Sequence, residues 1–260
     1  MSVSVPLATV PQVVYPDSDG QPMADNTKQF RWIVTIQGGL DALYANDPNV
    51  FVAGDLLWYP VEGDNTICTA PDAMVVFGRP KGDRGSYQQW RENHIAPQVV
   101  FEVLSPGNRQ MEIVRKLGFY EHYGVEECYI FDPDGGVLSG WRRVQGQWRA
   151  IEPMSGFVSP RLGVRFELAN GELELYGPDG RRFATFVEMS QQRAAEQQRA
   201  DAEQQRADAE QQRADAEQQR ADAEQQRADA QQQRAEAEGQ HAERLAAQLR
   251  ALGVEPLEKS

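Results

Sequence analysis

The chain has 260 residues and a formal net charge of −13. Residues 1–188 carry 16 Lys and Arg against 24 Asp and Glu, and residues 189–260 carry 10 against 15. This argues against a chain that holds nucleic acid by general electrostatic attraction, but not against one with a metal-dependent site, which needs clustered carboxylates.

Residues 1–25 are rich in Pro, Asp, Ser and Gly and read as an extended arm. Asp25 or Asn26 caps a helix that should run to about Tyr44, with Phe30, Ile33, Val34, Ile36, Leu40 and Leu43 as its apolar positions. Short apolar runs follow at Val50–Ala53, Leu56–Tyr59 and Ala73–Phe77, separated by turn residues such as Gly54-Asp55. A polar loop from Gly78 to Pro97 holds Arg79, Lys81, Arg84 and Arg91, with Tyr87 and Trp90 between them. These side chains could contact phosphates and stack on bases, or simply face solvent.

Residues Gln98–Leu104 form an apolar strand interrupted by Glu102. A turn at Ser105–Asn108 leads into a helix from about Arg109 to Tyr123, ended by Gly124. Glu127–Phe131 is a further strand, Asp132–Gly136 a turn, and Val137–Val144 with Gln147–Ile151 a hairpin about Gln145-Gly146. Val164–Leu168 and Glu172–Tyr176 read as a last strand pair. Helices interleaved with strands and hairpins predict a mixed α/β sheet flanked by helices.

The segment 189–260 is compositionally distinct. It repeats around Gln-Gln-Arg-Ala-Asp-Ala-Glu, with arginines at Arg199, Arg206, Arg213, Arg220, Arg227 and Arg234. Its residues favour helix. Arg199, Glu203 and Arg206 stand four and three apart, which predicts a ladder of opposite charges. The only apolar side chains in each unit are two alanines on nearly opposite faces, so a solvated single helix and a weak coiled coil are both open. Leu245, Leu249 and Leu252 form the one bulky stripe. The predicted organisation is therefore an arm over 1–25, a domain over 26–188 and a charged repeat helix over 189–260.

Cys68 and Cys128 are isolated, which argues against a zinc site or disulfide framework and suits small buried residues in a reducing compartment. No basic leader or long apolar run is present, so a cytoplasmic protein without a membrane span is expected. His94, His122 and His241 lack metal-ligand spacing, and no GxSxG elbow, P-loop or dinucleotide fingerprint occurs.

Two acids stand where strands should be apolar. Asp72 directly precedes Ala73–Phe77, and Glu102 lies inside its strand. A buried carboxylate requires a cation, a metal or a proton. Two on neighbouring strands could hold one Mg²⁺ or Mn²⁺ through oxygen, with a lysine nearby to orient water. Asp55 could approach the same ion, or be a turn residue only.

Pro71-Asp72, then Glu102-Val103-Leu104, resembles the PD-(D/E)xK nuclease signature, with Leu104 in place of the usual lysine. The continuation is more specific: Glu102 to Pro106, then Glu112, Lys116 and Tyr120, then Gly124-Val125 and Tyr129 to Pro133. This string closely resembles the Uma-type putative restriction endonuclease family over roughly residues 25–180. The resemblance implies a restriction-endonuclease-like fold and a lysine shifted onto the following helix, here Lys116. Asp72 and Glu102 would then be metal ligands and, with Lys116, catalytic, while Glu112 and Tyr120 would support them. Glu112 stands where the family often has Asp, and Arg115 is expected to point elsewhere on the helix. The implied activity is Mg²⁺-dependent hydrolysis of DNA by a homodimer formed through the globular domain. The alternative is an inactive nuclease-fold scaffold that binds partners through its C-terminal helix.

Overall fold

The computed structural model describes residues 13–106, 110–169 and 171–251. Two compact units divide the chain, Met1–Ser190 and Gln191–Ser260.

In the first unit, Asn26 begins helix α1, Thr27–Leu43, by accepting the Lys28 and Gln29 amides on its side chain. The buried face of α1 differs from the expected one. Ile33, Ile36 and Leu40 are inside, but Phe30 and Val34 are exposed, and Gln29 and Thr35 are buried in their place. Each buried polar side chain has a local reason. The Thr35 hydroxyl donates to the Arg31 carbonyl. The Gln29 amide donates to the Val103 carbonyl at 2.8 Å and accepts from the Asp25 amide.

Six strands form the main sheet: β1 Val50–Ala53, β3 Ala73–Phe77, β5 Val99–Val103, β6 Glu127–Asp132, β7 Val137–Val144 and β8 Gln147–Ala150, adjacent in that order. All neighbours are antiparallel except β5 and β6. That parallel pair needs a crossover, and helix α2, Gln110–Tyr123, supplies it. Gly124, at φ 98°, ends α2 in a conformation that favours glycine. The expected start of α2, at Asn108 and Arg109, lies outside the described residues.

Side-chain alternation divides the core into two layers. Val75, Phe101, Val103, Tyr129 and Phe131 pack with Ile33, Ile36 and Leu40 of α1. The hairpin of β9, Arg165–Ala169, and β10, Glu172–Tyr176, adds Phe166, Leu173 and Leu175 to that layer. Met74, Val76, Val100 and Ile130 face the other way, toward Tyr120 of α2 and Trp58.

The loop Gly78–Pro97 contains structure the sequence did not reveal. Tyr87-Gln88 form β4, parallel to β2, Trp58-Tyr59, and a 3₁₀ turn follows at Gln89–Glu92. Tyr87 is fully buried, stacks on Phe51 and donates its hydroxyl to the Ile95 carbonyl, so it is not free to stack on bases.

Helix α3 covers Phe186–Ala251 and has no buried residue. It opens with a capping box. The Thr185 hydroxyl accepts the Glu188 amide, and the Glu188 carboxylate accepts the Thr185 amide at 2.8 Å. The expected Arg–Glu ladder is absent: among the described residues from Gln191 onward no ion pair forms. Instead Gln197 donates to Asp201, and the same four-residue bond recurs at Gln204–Asp208, Gln211–Asp215, Gln218–Asp222 and Gln225–Asp229. Exposed Arg–Glu pairs gain little in water, and holding both long side chains costs entropy. Leu245 and Leu249 are exposed, and Leu252 lies outside the described residues. Among the described residues, no helix is long and apolar enough to cross a membrane.

Candidate active site

The sheet register brings the two acids together. The ladder between β3 and β5 ends at Ala73↔Phe101. One step beyond it stand Asp72 and Glu102. Alternation places both on the α2 face, because Asp72 follows the parity of Met74 and Val76, and Glu102 that of Val100. Asp72 is 9% exposed and Glu102 5%.

Each carboxylate is held by neighbours. The Val103 amide donates to Asp72 Oδ2 at 2.6 Å. Lys116 Nζ lies 2.8 Å from Glu102 Oε2 and also reaches the Ala70 carbonyl at 3.3 Å. The Tyr120 hydroxyl donates to the other oxygen of Glu102. Tyr120 is fully buried and stacked on Trp58 with the rings 5° from parallel, so its hydroxyl is aimed by packing. Lys116 and Tyr120 reach the same carboxylate because they are one helical turn apart.

The electrostatics follow from burial. Loss of water pushes the Asp72 carboxyl well above the usual carboxylate range, and the charges of Glu102 and Asp55 add to this, while Lys116 and the Val103 amide oppose it. Burial pulls the Lys116 amine down, but Glu102 and Asp72 outweigh it and raise it above its ordinary value. Lys116 is therefore an ammonium, a donor and a positive charge rather than a base. Burial, first, and the Glu102 charge push the Tyr120 phenol well above its usual value, which keeps it a proton donor.

These groups open into a cavity of about 500 Å³. Among the described residues its acids are Asp19, Asp25, Asp55, Asp72, Glu102 and Glu112, and its bases are Arg115 and Lys116. Glu112 is exposed at the cavity wall and is not bonded to Lys116, though its charge helps to raise the lysine. Asp55 adopts a left-handed backbone, with φ 49°, and its amide donates to the Pro71 carbonyl, so the turn lies beside Asp72. Burial raises its carboxyl, and Asp19 adds to this. Arg115 does not point elsewhere as expected. It lines the cavity with Glu112 and Lys116, because residues three and four apart share a helical face.

The basic loop is not part of this cavity. Glu92 binds Arg79 at 3.0 Å and Arg84 at 2.7 Å, and Arg84 also lies over the Phe51 ring. Lys81 pairs with Asp41, and Arg91 lines a separate, smaller pocket. Glu92 was not singled out in the sequence, yet it fixes two of the four cations.

The cavity's remaining wall comes from the N-terminal arm. Tyr15 packs on Tyr59 and Trp90, with ring centroids 5.1 and 4.8 Å away. The Tyr59 hydroxyl donates to the Pro16 carbonyl and the Asn65 amide to that of Val14. Residues from Asp19 to Asp25 then line the cavity, and the Ser105 hydroxyl donates to Asp25. Cys68, half-buried, lies on the same wall rather than in the core. Glu127 is a third buried carboxylate, within a strand and not among the expected site residues. It is satisfied by Tyr129, Ser159 and the Arg161 amide without a cation, which identifies it as a structural clasp.

The donor set suits a hard divalent cation. Two like-charged, poorly hydrated carboxylates on adjacent strands favour a bound positive charge, and oxygen ligands are what Mg²⁺ and Mn²⁺ take. Among the described residues no group of three or more His, Cys, Asp or Glu side chains is gathered that could hold a metal, and Asp72 and Glu102 stand as a pair.

The fold is a mixed α/β domain with an acidic cavity on the α2 face of its sheet. The chain belongs to the Uma2 family, described as putative restriction endonuclease, whose model matches residues 40–170. A solved structure described as a putative nuclease belonging to DUF820, from Anabaena variabilis, is similar to this chain. It has 18% sequence identity and a TM-score of 0.41, covering 58% of this chain and 86% of that one. No curated protein matches the chain.

Proposed function

We propose that the protein is a Mg²⁺- or Mn²⁺-dependent endonuclease that hydrolyses phosphodiester bonds in DNA. The observation that carries this reading is the meeting of Asp72, Glu102 and Lys116 on one face of the sheet, inside an open cavity. Asp72 and Glu102 would hold the ion, with Asp55 near enough to add negative charge. When bound, such an ion polarises a phosphoryl oxygen and lowers the pKa of water. Lys116, as an ammonium, would orient the attacking water and stabilise the charge that develops on the phosphate. Tyr120 would fix the Glu102 carboxylate, and Glu112 would bias Lys116 toward its charged form. Cutting both strands of a duplex needs two such sites, so the reading includes a homodimer formed through the globular domain.

Purified protein with Mg²⁺ or Mn²⁺ should nick supercoiled DNA. Glu102→Ala should reduce the rate at least about 100-fold, as expected when a group acting in the transition state is lost.

A second reading is favoured by one observation: both oxygens of Glu102 are already engaged, by Lys116 and Tyr120. On that reading the cavity is a satisfied structural network, and the protein is a scaffold whose working part is the exposed helix α3. Calorimetric titration with Mn²⁺ separates the two. Binding that disappears in Asp72→Ala supports the nuclease, and absence of binding in the unaltered protein supports the scaffold.

A further inference from the structure

If the cavity handles a polyanion, its charge presents a difficulty, with six acids against two bases among the described residues that line it. A divalent ion would offset part of this, but the backbone must also be held on either side of the cleaved bond. Positive charge for that purpose is scarce. Lys116 is committed to Glu102. Arg79, Lys81 and Arg84 are committed to Glu92 and Asp41, away from the cavity.

Among the described residues that line the cavity, Arg115 is the exception. It is exposed on α2 at the cavity wall, and among the described residues it has no hydrogen bond or ion pair. Glu112, three residues earlier on the same face, is placed to neutralise it and does not. A guanidinium offers a planar fork of donors that matches two phosphate oxygens, and Arg115 presents it at the wall of the cavity that Asp72 and Glu102 also line, with its charge acting on Cys68.

We infer that Arg115 is the substrate anchor of this site, binding a DNA phosphate adjacent to the one attacked at Asp72, Glu102 and Lys116. This rests on the nuclease reading above. The anchor contributes to binding rather than to the chemical step, because its charge meets a phosphate that does not change during the reaction.

The test uses the full chain and fluorescence anisotropy with a labelled DNA duplex. Ca²⁺ replaces Mg²⁺, so that the site is filled with an oxygen-seeking ion while binding alone is measured. Arg115→Ala is expected to raise Kd about tenfold and to lower the slope of log K against log salt by about one. Arg115→Lys should recover part of the affinity. In Mg²⁺, Arg115→Ala should raise KM with kcat within about threefold. Arg149→Ala, on the exposed strand β8, is the control and should match the unaltered protein.

If the unaltered protein binds and cleaves DNA while Arg115→Ala keeps its Kd and salt slope, the anchor is refuted and the nuclease reading stands. A fall in kcat at unchanged Kd refutes the anchoring role as well. If the unaltered protein neither binds nor cleaves DNA, both readings fall.

Discussion

At the scale of single residues, Asp72 is a buried carboxyl whose charged form is costly to the domain. Its carboxyl titrates above the ordinary range in the folded state, chiefly because it is buried. Between the ordinary value and the folded one, the native chain holds a proton that the unfolded chain has lost. Stability therefore falls as pH rises through that window, and the full cost is present above the folded value. Asp72→Asn removes the charge and keeps an oxygen for the Val103 amide. In the absence of divalent metal it should raise the melting temperature near pH 7 by about 2–4 °C, the change that about 1 kcal/mol gives in a domain of this size. The gain should vanish near pH 4, where the carboxyl of the native protein is neutral as well. Thermal melts in chelator at the two pH values check this, and a lower melting temperature at neutral pH would show that attraction to Lys116 outweighs burial. Asp72 and Glu102 were legible because strand patterning and the family resemblance pointed to the same residues, and Lys116 and Tyr120 through the resemblance and their spacing of four. Asp19, Asp25 and Gln29 were not. Their place at the cavity depends on where Tyr15 and α1 dock, which is decided by residues distant in sequence.

At the scale of elements, strands with their own apolar run were legible, and β4 was not. Its two residues gain strand character only by pairing with β2, about 30 positions earlier, and nothing local marks that. The buried face of α1 was misread for a related reason. Hydrophobic periodicity cannot foresee that Gln29 will be drawn inside to cap the end of β5, or that Phe30 will be left outside. The same helix holds a sharper constraint. A Cβ on Gly39 would come within 2.2 Å of the Phe183 ring, which lies just after β10. Gly39→Ala should therefore cost about 1–3 kcal/mol by overpacking, although alanine favours helix. Denaturant unfolding measures it, and adding Phe183→Leu should restore part of the loss by making room.

At the scale of the whole molecule, the repeat region was legible as helix from composition alone, whereas the bonds along it were not. Charge spacing suggested Arg–Glu pairs, and the helix uses Gln–Asp bonds instead, because amide and short carboxylate meet at four residues' separation with fewer torsions to fix. Nothing in α3 is buried, so removing residues 191–260 should leave a folded domain with an unchanged oligomeric state. Light scattering on both lengths tests this, and a dimer that becomes a monomer would assign dimerisation to the tail. The seven-residue bonding pattern also makes the tail modular. Each unit repeats the same bond within itself and leans on no core, so a unit gained or lost would leave its neighbours intact. One unit changes the reach of the helix by about 10.5 Å and turns its far end by only about 20°. Slippage in the underlying repeat could thus adjust how far the terminal segment extends in regular steps while leaving it facing nearly the same way.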